Sequence, residues 1–256
     1  MTVTDWHGVS GGESGAAVFR SADGARYAKT VGPAGVADLA DERDRLSWAR
    51  SQDVPCPTVI DWGIDDDGGA FLITGALGGV TADRLPEAIV RASWPAIVAA
   101  VVDLHAIAVE GCPYRRDVDD MMARARATVA AAAVDREFLR DEARDVPAAQ
   151  LLARVEREVQ LRRRQESGDL VVCHGDLCLP NIVIDPDRLA VEGFVDLGRL
   201  GLADRHADLA LLSANTADTF PGFDAAAVAG LAAGYPGPID EERLRFYLAL
   251  DPLTWG

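Results

Sequence analysis

Several things are missing from this 256-residue chain, and each absence narrows the reading. The opening MTVTDWHGVSGGES has no basic region followed by an apolar stretch, so no secretory signal is expected. No uninterrupted apolar run approaches the roughly 20 residues that span a bilayer. The longest candidate, residues 97–109, is broken by Asp103 and His105, so no membrane association is expected. Cysteine is scarce: Cys56, Cys112, Cys173 and Cys178 form no CxxC pair, which excludes a disulfide-dense scaffold. Cys173 beside His174 invites a zinc reading, but the closed ligand set of a structural site is missing. Reduced thiols in a soluble cytoplasmic protein are the expectation. Basic residues are also in deficit, 25 against 41 acidic ones, for a net charge of −16. Binding to a nucleic-acid backbone runs on clustered Lys and Arg, so no nucleic-acid partner is expected. The same charge suits a cationic small molecule, or simply solubility. There is no internal repeat and no low-complexity linker.

What is present divides in two. Residues 16–31, AAVFRSADGARYAKTV, read as a hairpin turning at Ser21-Ala22-Asp23-Gly24, because Asp-Gly between strand-prone runs is a strong turn signal. Upstream, SGGESG supplies glycines that let backbone N–H groups approach a ligand closely. Residues 36–52 are helix-like, and PCPTVIDWGI and GAFLITGAL read as two further strands around DDDGG. After Gly78-Gly79 the character becomes helical. A helix is expected to start at Ser93-Trp94-Pro95, with others over 118–134, 148–166, 205–231 and in EERLRFYLALD. The charged run RVEREVQLRRRQE reads as a solvated face. The expected architecture is α+β in two lobes, a small antiparallel β lobe over 1–76 and a larger helical lobe over 77–256, with a cleft between them as the natural binding site.

The second part of the chain carries a notable loop. VVCHGDLCLPNIVID places Asp176 and Asn181 between two apolar, strand-like runs. Loops of that kind usually mount binding and catalytic groups. A carboxylate and a carboxamide there suit proton acceptance and ligation of a hard cation. In chain order the sequence gives a glycine-rich turn, Lys29 in YAK, a helix containing Glu42, HGDxxxxN at 174–181 and VDLG at 195–198. Phosphoryl transfer needs these parts: donors around the phosphates, a cation on them, oxygen ligands for Mg²⁺ and an Asp beside the acceptor hydroxyl.

These blocks resemble the protein-kinase-like fold, and HGDLCLPN with DLGRLGLADRHADLAL is similar to the aminoglycoside phosphotransferases. Within that family, GGESGAAVFR, YAK, DERDRLSWAR, VVCHGD and FYLALDPLTWG resemble the streptomycin 3''-phosphotransferases over nearly the whole chain. The resemblance implies ATP as donor, Mg²⁺ as cofactor and a cationic aminoglycoside as acceptor, in a monomeric cytoplasmic enzyme. It implies Asp176 as catalytic base or orienter of the acceptor hydroxyl, and Asn181 and Asp196 as Mg²⁺ ligands. Lys29 would bind the α/β-phosphates and pair with Glu42, for which Asp38 and Asp41 compete. Ser14 and Gly15 would lie over the phosphates. The backbone of Thr74, Gly75 and Ala76 would hydrogen-bond adenine, and Arg199 would lie near substrate. His174 and His105 read as packing residues, and Asp208 as a partner of the catalytic-loop backbone. A protein kinase is disfavoured because only 60 residues follow Asp196, with no APE-like element. Other readings are a 3'-phosphotransferase of kanamycin or neomycin-type drugs, a kinase of another small hydroxylated molecule, and a non-catalytic nucleotide-binding regulator.

Overall fold

The computed structural model describes residues 6–9 and 16–255. The chain forms two compact units, residues 1–85 with 180–199, and residues 86–179 with 200–256. This differs from the single boundary expected at 76/77. The chain returns to the first unit after Leu179 because β6 (Val80–Thr81) is paired to β8 (Ile182–Asp185), which in turn pairs with β9 (Ala190–Phe194).

The first unit is built on a five-stranded antiparallel sheet in the order β1-β2-β3-β5-β4. Its strands are β1 (Trp6–Val9), β2 (Ala17–Ser21), β3 (Arg26–Val31), β4 (Val59–Ile64) and β5 (Ala70–Gly75). The expected hairpin is present: Ala17 faces Thr30 and Arg20 faces Tyr27. Its turn closes through Gly24 N–H to Ser21 C=O (2.8 Å), with Gly24 at φ +71°. Helix α1 (Val36–Ser51) buries Leu39, Leu46 and Ala49, a spacing that puts all three on one face. The second connection, DDDGG, turns through Gly68 N–H to Asp65 C=O at 2.9 Å.

The second unit is helical: α2 (Glu87–His105), α3 (Val118–Ala130), α4 (Ala148–Glu156), α5 (Val159–Glu166), α6 (Arg205–Thr219), α7 (Asp224–Gly234) and α8 (Glu241–Leu250). One two-stranded ladder, β7 (Leu170–Cys173) with β10 (Gly201–Asp204), completes it. Side-chain caps start three of the helices, with Asp117, Asp204 and Asp240 each accepting backbone N–H bonds from the first turn. Met121, Met122, Val155, Phe246, Tyr247 and Leu250 fill the core between α3, α4 and α8.

Three sequence expectations are corrected here. α2 begins at Glu87, directly after Pro86, so Pro95 lies inside the helix and Ser93 is a fully buried interior residue rather than its N-cap. The expected helices over 148–166 and 205–231 are each two helices. At 19 residues α2 is long and apolar enough to cross a bilayer by length and composition, the one such helix among the described residues. Its buried Ser93 and His105 and its packing on α7 and β7 are those of a core helix.

Candidate active site

In the first unit, three charged side chains from three segments meet. Lys29 of β3 places its ammonium 2.8 and 2.9 Å from the two oxygens of Glu42 and 3.2 Å from Asp196 Oδ1. Helical phase selects Glu42. It lies three residues after Leu39 and four before Leu46, on the buried stripe of α1, whereas Asp38 is exposed and Asp41 pairs with Arg45 at 3.0 Å. Burial works against charge on Lys29, but Glu42 and then Asp196 outweigh it and hold the ammonium above its usual range. Burial pushes the Glu42 carboxyl up, and the Lys29 ammonium pulls it back down. Lys29 is also the only lysine in the chain; the other 24 basic residues are arginine.

Asn181 and Asp196 are tied together by the strands that carry them. Asn181 immediately precedes β8, Asp196 follows β9 by two residues, and Val195 N–H donates to Asn181 C=O at 3.0 Å. Asn181 is buried, while the Asp196 side chain is 48% exposed. Asp196 adopts φ +58°, a left-handed conformation that non-glycine residues seldom hold. The next turn, Leu197–Arg199, packs on α1. A Cβ at Gly198 would lie 3.5 Å from the Glu42 Cβ, an ordinary van der Waals distance, so the turn sits directly against the helix that carries Glu42. Arg199 is partly buried at the end of this turn.

The segment after β5 is less open than expected. Gly75 N–H donates to Thr58 C=O (2.9 Å) and Ala76 N–H to Ala25 C=O (2.8 Å), so neither N–H is left for a base. Thr74 lies within the ladder, opposite Tyr27 and Val59. Ser14 and Gly15 lie outside the described residues.

The second unit contains the other half of the motif. β7 ends at Cys173, and His174, Gly175 and Asp176 follow. Gly175 holds φ +83°, which a side chain would strain. Asp208 of α6, fully buried, accepts from His174 N–H at 2.6 Å and from Gly175 N–H at 2.9 Å. Burial alone would raise the Asp208 carboxyl; the His105 bond, the neighbouring His174 ring and the Gly175 backbone donor hold it below the usual carboxylate range. His174 Nδ1 accepts from Asp176 N–H at 3.2 Å, which makes the buried imidazole part of the turn. Further along, Leu179 N–H donates to Asn215 Oδ1 at 2.9 Å. Through residues 175–180 burial alternates: Gly175, Leu177 and Leu179 are buried, whereas Asp176 and Cys178 are partly exposed.

Sequence reasoning anticipated Asp208 as a partner of the loop backbone. It missed the layer behind it. His105 Nε2 lies 3.1 Å from Asp208 and its Nδ1 2.6 Å from the Tyr235 hydroxyl, so the imidazole is a buried strut as well as a packing group. His105, Cys173 and Asp208 bring metal-ligand atoms within 4.8 Å of one another. Both His105 nitrogens and both Asp208 oxygens are already committed to hydrogen bonds, and burial pushes the Cys173 thiol well up, so the arrangement serves the loop rather than a metal. Near the chain end, Asp251 accepts from Arg116 (2.6 Å) and from Trp255 Nε1 (3.0 Å), a second pairing with no signal at the sequence level. A cavity of about 550 Å³ in this unit, lined by Leu139, Leu151, Val155, Leu244 and Pro252 among others, contains none of the candidate residues.

Comparison with known proteins bears on both halves. Residues 5–247 match the model of the phosphotransferase enzyme family. The chain is 54% identical to the streptomycin 3''-kinase of Streptomyces griseus over 254 residues, covering 98% of this chain and 93% of that protein. It is 39% identical to the aminoglycoside 3'-phosphotransferase of Streptomyces fradiae over 266 residues, covering 96% and 94%. Among solved structures it is similar to aminoglycoside phosphotransferase APH(3'')-Id from Streptomyces rimosus in complex with ADP and streptomycin. That likeness has a TM-score of 0.91 at 48% identity and covers 98% of this chain and 93% of the other.

Proposed function

The chain belongs to the phosphotransferase enzyme family, with an α+β, protein-kinase-like fold, and from that premise we propose that it transfers the γ-phosphoryl group of ATP to the 3''-hydroxyl of streptomycin. The observation that carries the reading is the bonded set Lys29–Glu42–Asp196 in the same chain as a braced HGDxxxxN loop. A degenerate nucleotide-binding regulator would be expected to lack one of these groups. The relatives narrow the acceptor, since one is named a streptomycin 3''-kinase and another was solved with ADP and streptomycin.

In this mechanism Lys29, held by Glu42, meets the α/β-phosphates as a fixed positive charge. Asp176 accepts the proton of the attacking hydroxyl as its oxygen bonds to the γ-phosphorus and the bond to the β-phosphate oxygen breaks, releasing ADP. Asn181 and Asp196 offer a carboxamide and a carboxylate oxygen, the hard donors that suit Mg²⁺, and they would hold it. Held there, Mg²⁺ would supply positive charge to offset the negative charge that develops on the phosphates. Ser14 and Gly15 are assigned to the phosphates by motif alone. At the segment after β5, the committed N–H groups of Gly75 and Ala76 leave carbonyls as that segment's part in holding adenine. Arg199 follows the Asp196 turn and is assigned to the substrate side. Streptomycin carries guanidinium groups that carboxylates bind bidentately, consistent with a net charge of −16. The four cysteines are thiols rather than disulfides, in keeping with a reducing cytoplasm, where the enzyme acts as a monomer and confers antibiotic resistance.

A coupled ADP-release assay against streptomycin, kanamycin, spectinomycin and choline tests the reading. Turnover is expected with streptomycin, with a product one phosphoryl group heavier and the 3'' position shifted in its NMR spectrum. Efficient phosphorylation of kanamycin with streptomycin untouched would move the protein to the 3'-phosphotransferases while leaving the kinase assignment intact.

A further inference from the structure

One helix holds the catalytic loop at both ends. Asp208 and Asn215 of α6 each accept backbone N–H groups from it, Asp208 from His174 (2.6 Å) and Gly175 (2.9 Å), Asn215 from Leu179 (2.9 Å). Seven residues separate them, two helical turns less roughly 20°, so both lie on one face about 10.5 Å apart along the axis. Between Gly175 and Leu179 the chain has four steps, a reach of about 13–14 Å when extended. Little slack remains once both ends are bonded, and residues 176–178 must arch between the anchors. The burial agrees: Leu177 and Leu179 are fully buried, and Asp176 and Cys178 stay partly exposed.

We propose that Asn215 is a positioning residue for phosphoryl transfer. It fixes the far end of the loop that carries Asp176 and the point from which the chain continues, two residues later, to Asn181. The near anchor is charged and has His105 as its counter-group at 3.1 Å. The far anchor is a neutral carboxamide, whose oxygen accepts the N–H. Such an anchor acts on the chemical step more than on binding, because small displacements of a reacting group are costly in rate. The inference rests on the assignment of Asp176 proposed above.

The test compares full-length wild type with Asn215→Leu, Asn215→Asp and Asn215→Gln, using ATP and streptomycin, with Tm measured in the assay buffer. Leu matches the side chain in size without an acceptor, Asp keeps an oxygen in place, and Gln carries the oxygen one methylene further out. N215L and N215Q are expected to lower kcat about 10–100-fold with KM for ATP within about twofold. N215D should retain kcat within about threefold of wild type. Equal kcat for N215L and N215D overturns the proposal, and so does a loss in N215L shared equally by kcat and KM for ATP. If N215L does not fold, the N215D and N215Q pair carries the same comparison. Amide exchange over residues 177–181, measured without turnover, should be faster in N215Q than in wild type and N215D. Unchanged exchange overturns the anchoring itself, whereas a wild type inactive on every acceptor overturns only the reading beneath it.

Discussion

The two units solve the problem of holding charge in opposite ways. In the first, the groups that would meet ATP hold one another: Lys29 touches both Glu42 and Asp196, side chain to side chain, within 3.2 Å. In the second, the group that would meet the acceptor is held through its backbone. Asp176 sits on a loop whose N–H groups are taken by Asp208 and Asn215, and Asp208 is steadied in turn by His105 and Tyr235. The difference follows from the work each half does. A phosphate site needs fixed opposite charges at short range, whereas a base needs exact placement with its carboxylate left open to a proton. Substitutions in the first unit should therefore show in nucleotide and metal binding, and those around the loop in the chemical step.

The largest expected effect tests the second half of that contrast. Asp176→Asn keeps the shape of the side chain and removes the base, so kcat should fall about 10²–10⁴-fold, the usual contribution of a positioned base. ADP affinity, measured by calorimetry, should stay within about twofold. Wild-type turnover in the mutant, under conditions where chemistry limits the rate, would break the comparison at its centre.

Legibility in the sequence followed the same division. Lys29, Glu42, Asp176, Asn181 and Asp196 could be nominated from the sequence because chemistry at a site demands particular residue types in a particular chain order. The β2–β3 hairpin was visible because Asp23-Gly24 is a local turn signal. The Lys29–Glu42 pairing needed only helical phase, which the sequence does contain. Asn215, His105 and Tyr235 were not visible as supports, since their partners lie 36, 103 and 130 residues away and their types suit many buried roles. The start of α2 was misread because Ser93 and Pro95 offer a plausible local start, while tertiary burial carries the helix through Pro95. The division at residue 76 failed for a related reason: the return of 180–199 to the first unit is set by long-range strand pairing between β6 and β8.

A smaller effect is expected from Asp196→Ala. The mutant loses one oxygen donor and one of the two partners of Lys29, but the Lys29–Glu42 pair remains. Losses around metal sites typically run from about 10- to 100-fold, so the Mg²⁺ concentration for half-maximal rate should rise by at least about tenfold, together with KM for ATP. An unchanged Mg²⁺ requirement, or a loss confined to kcat, would place Asp196 with the loop rather than with the nucleotide and erase the distinction between the units.

The smallest effect concerns a carboxylate that follows neither pattern. Among the carboxylates that the second unit buries are Asp204, Asp208 and Glu166. Arg243 and His206 bond Asp204, and His105 bonds Asp208, so both are held below the usual carboxylate range despite burial. Glu166 accepts from Val118 N–H at the start of α3 (2.9 Å), but burial, with Asp117 and Asp204 nearby, pushes its carboxyl up to about 7. Its stabilising effect is therefore greatest at low pH. Below the unfolded value of 4.5 both states carry the proton; between 4.5 and about 7 the unfolded chain releases it while the folded protein keeps it, so stability falls as pH rises, and above about 7 the loss is complete. At about 1.4 kcal/mol per pH unit, discounted for partial screening by solvent, the group should cost about 1–3 kcal/mol at neutral pH. Glu166→Gln retains an oxygen for Val118 and does not titrate. The Tm of the mutant relative to wild type should thus be more favourable at pH 8 than at pH 5, by about 3–6 °C for a chain of this size. A relative Tm that is the same at both pH values would mean that Glu166 is ionised in the fold like Asp204 and Asp208, and that all three are matched by a partner after all.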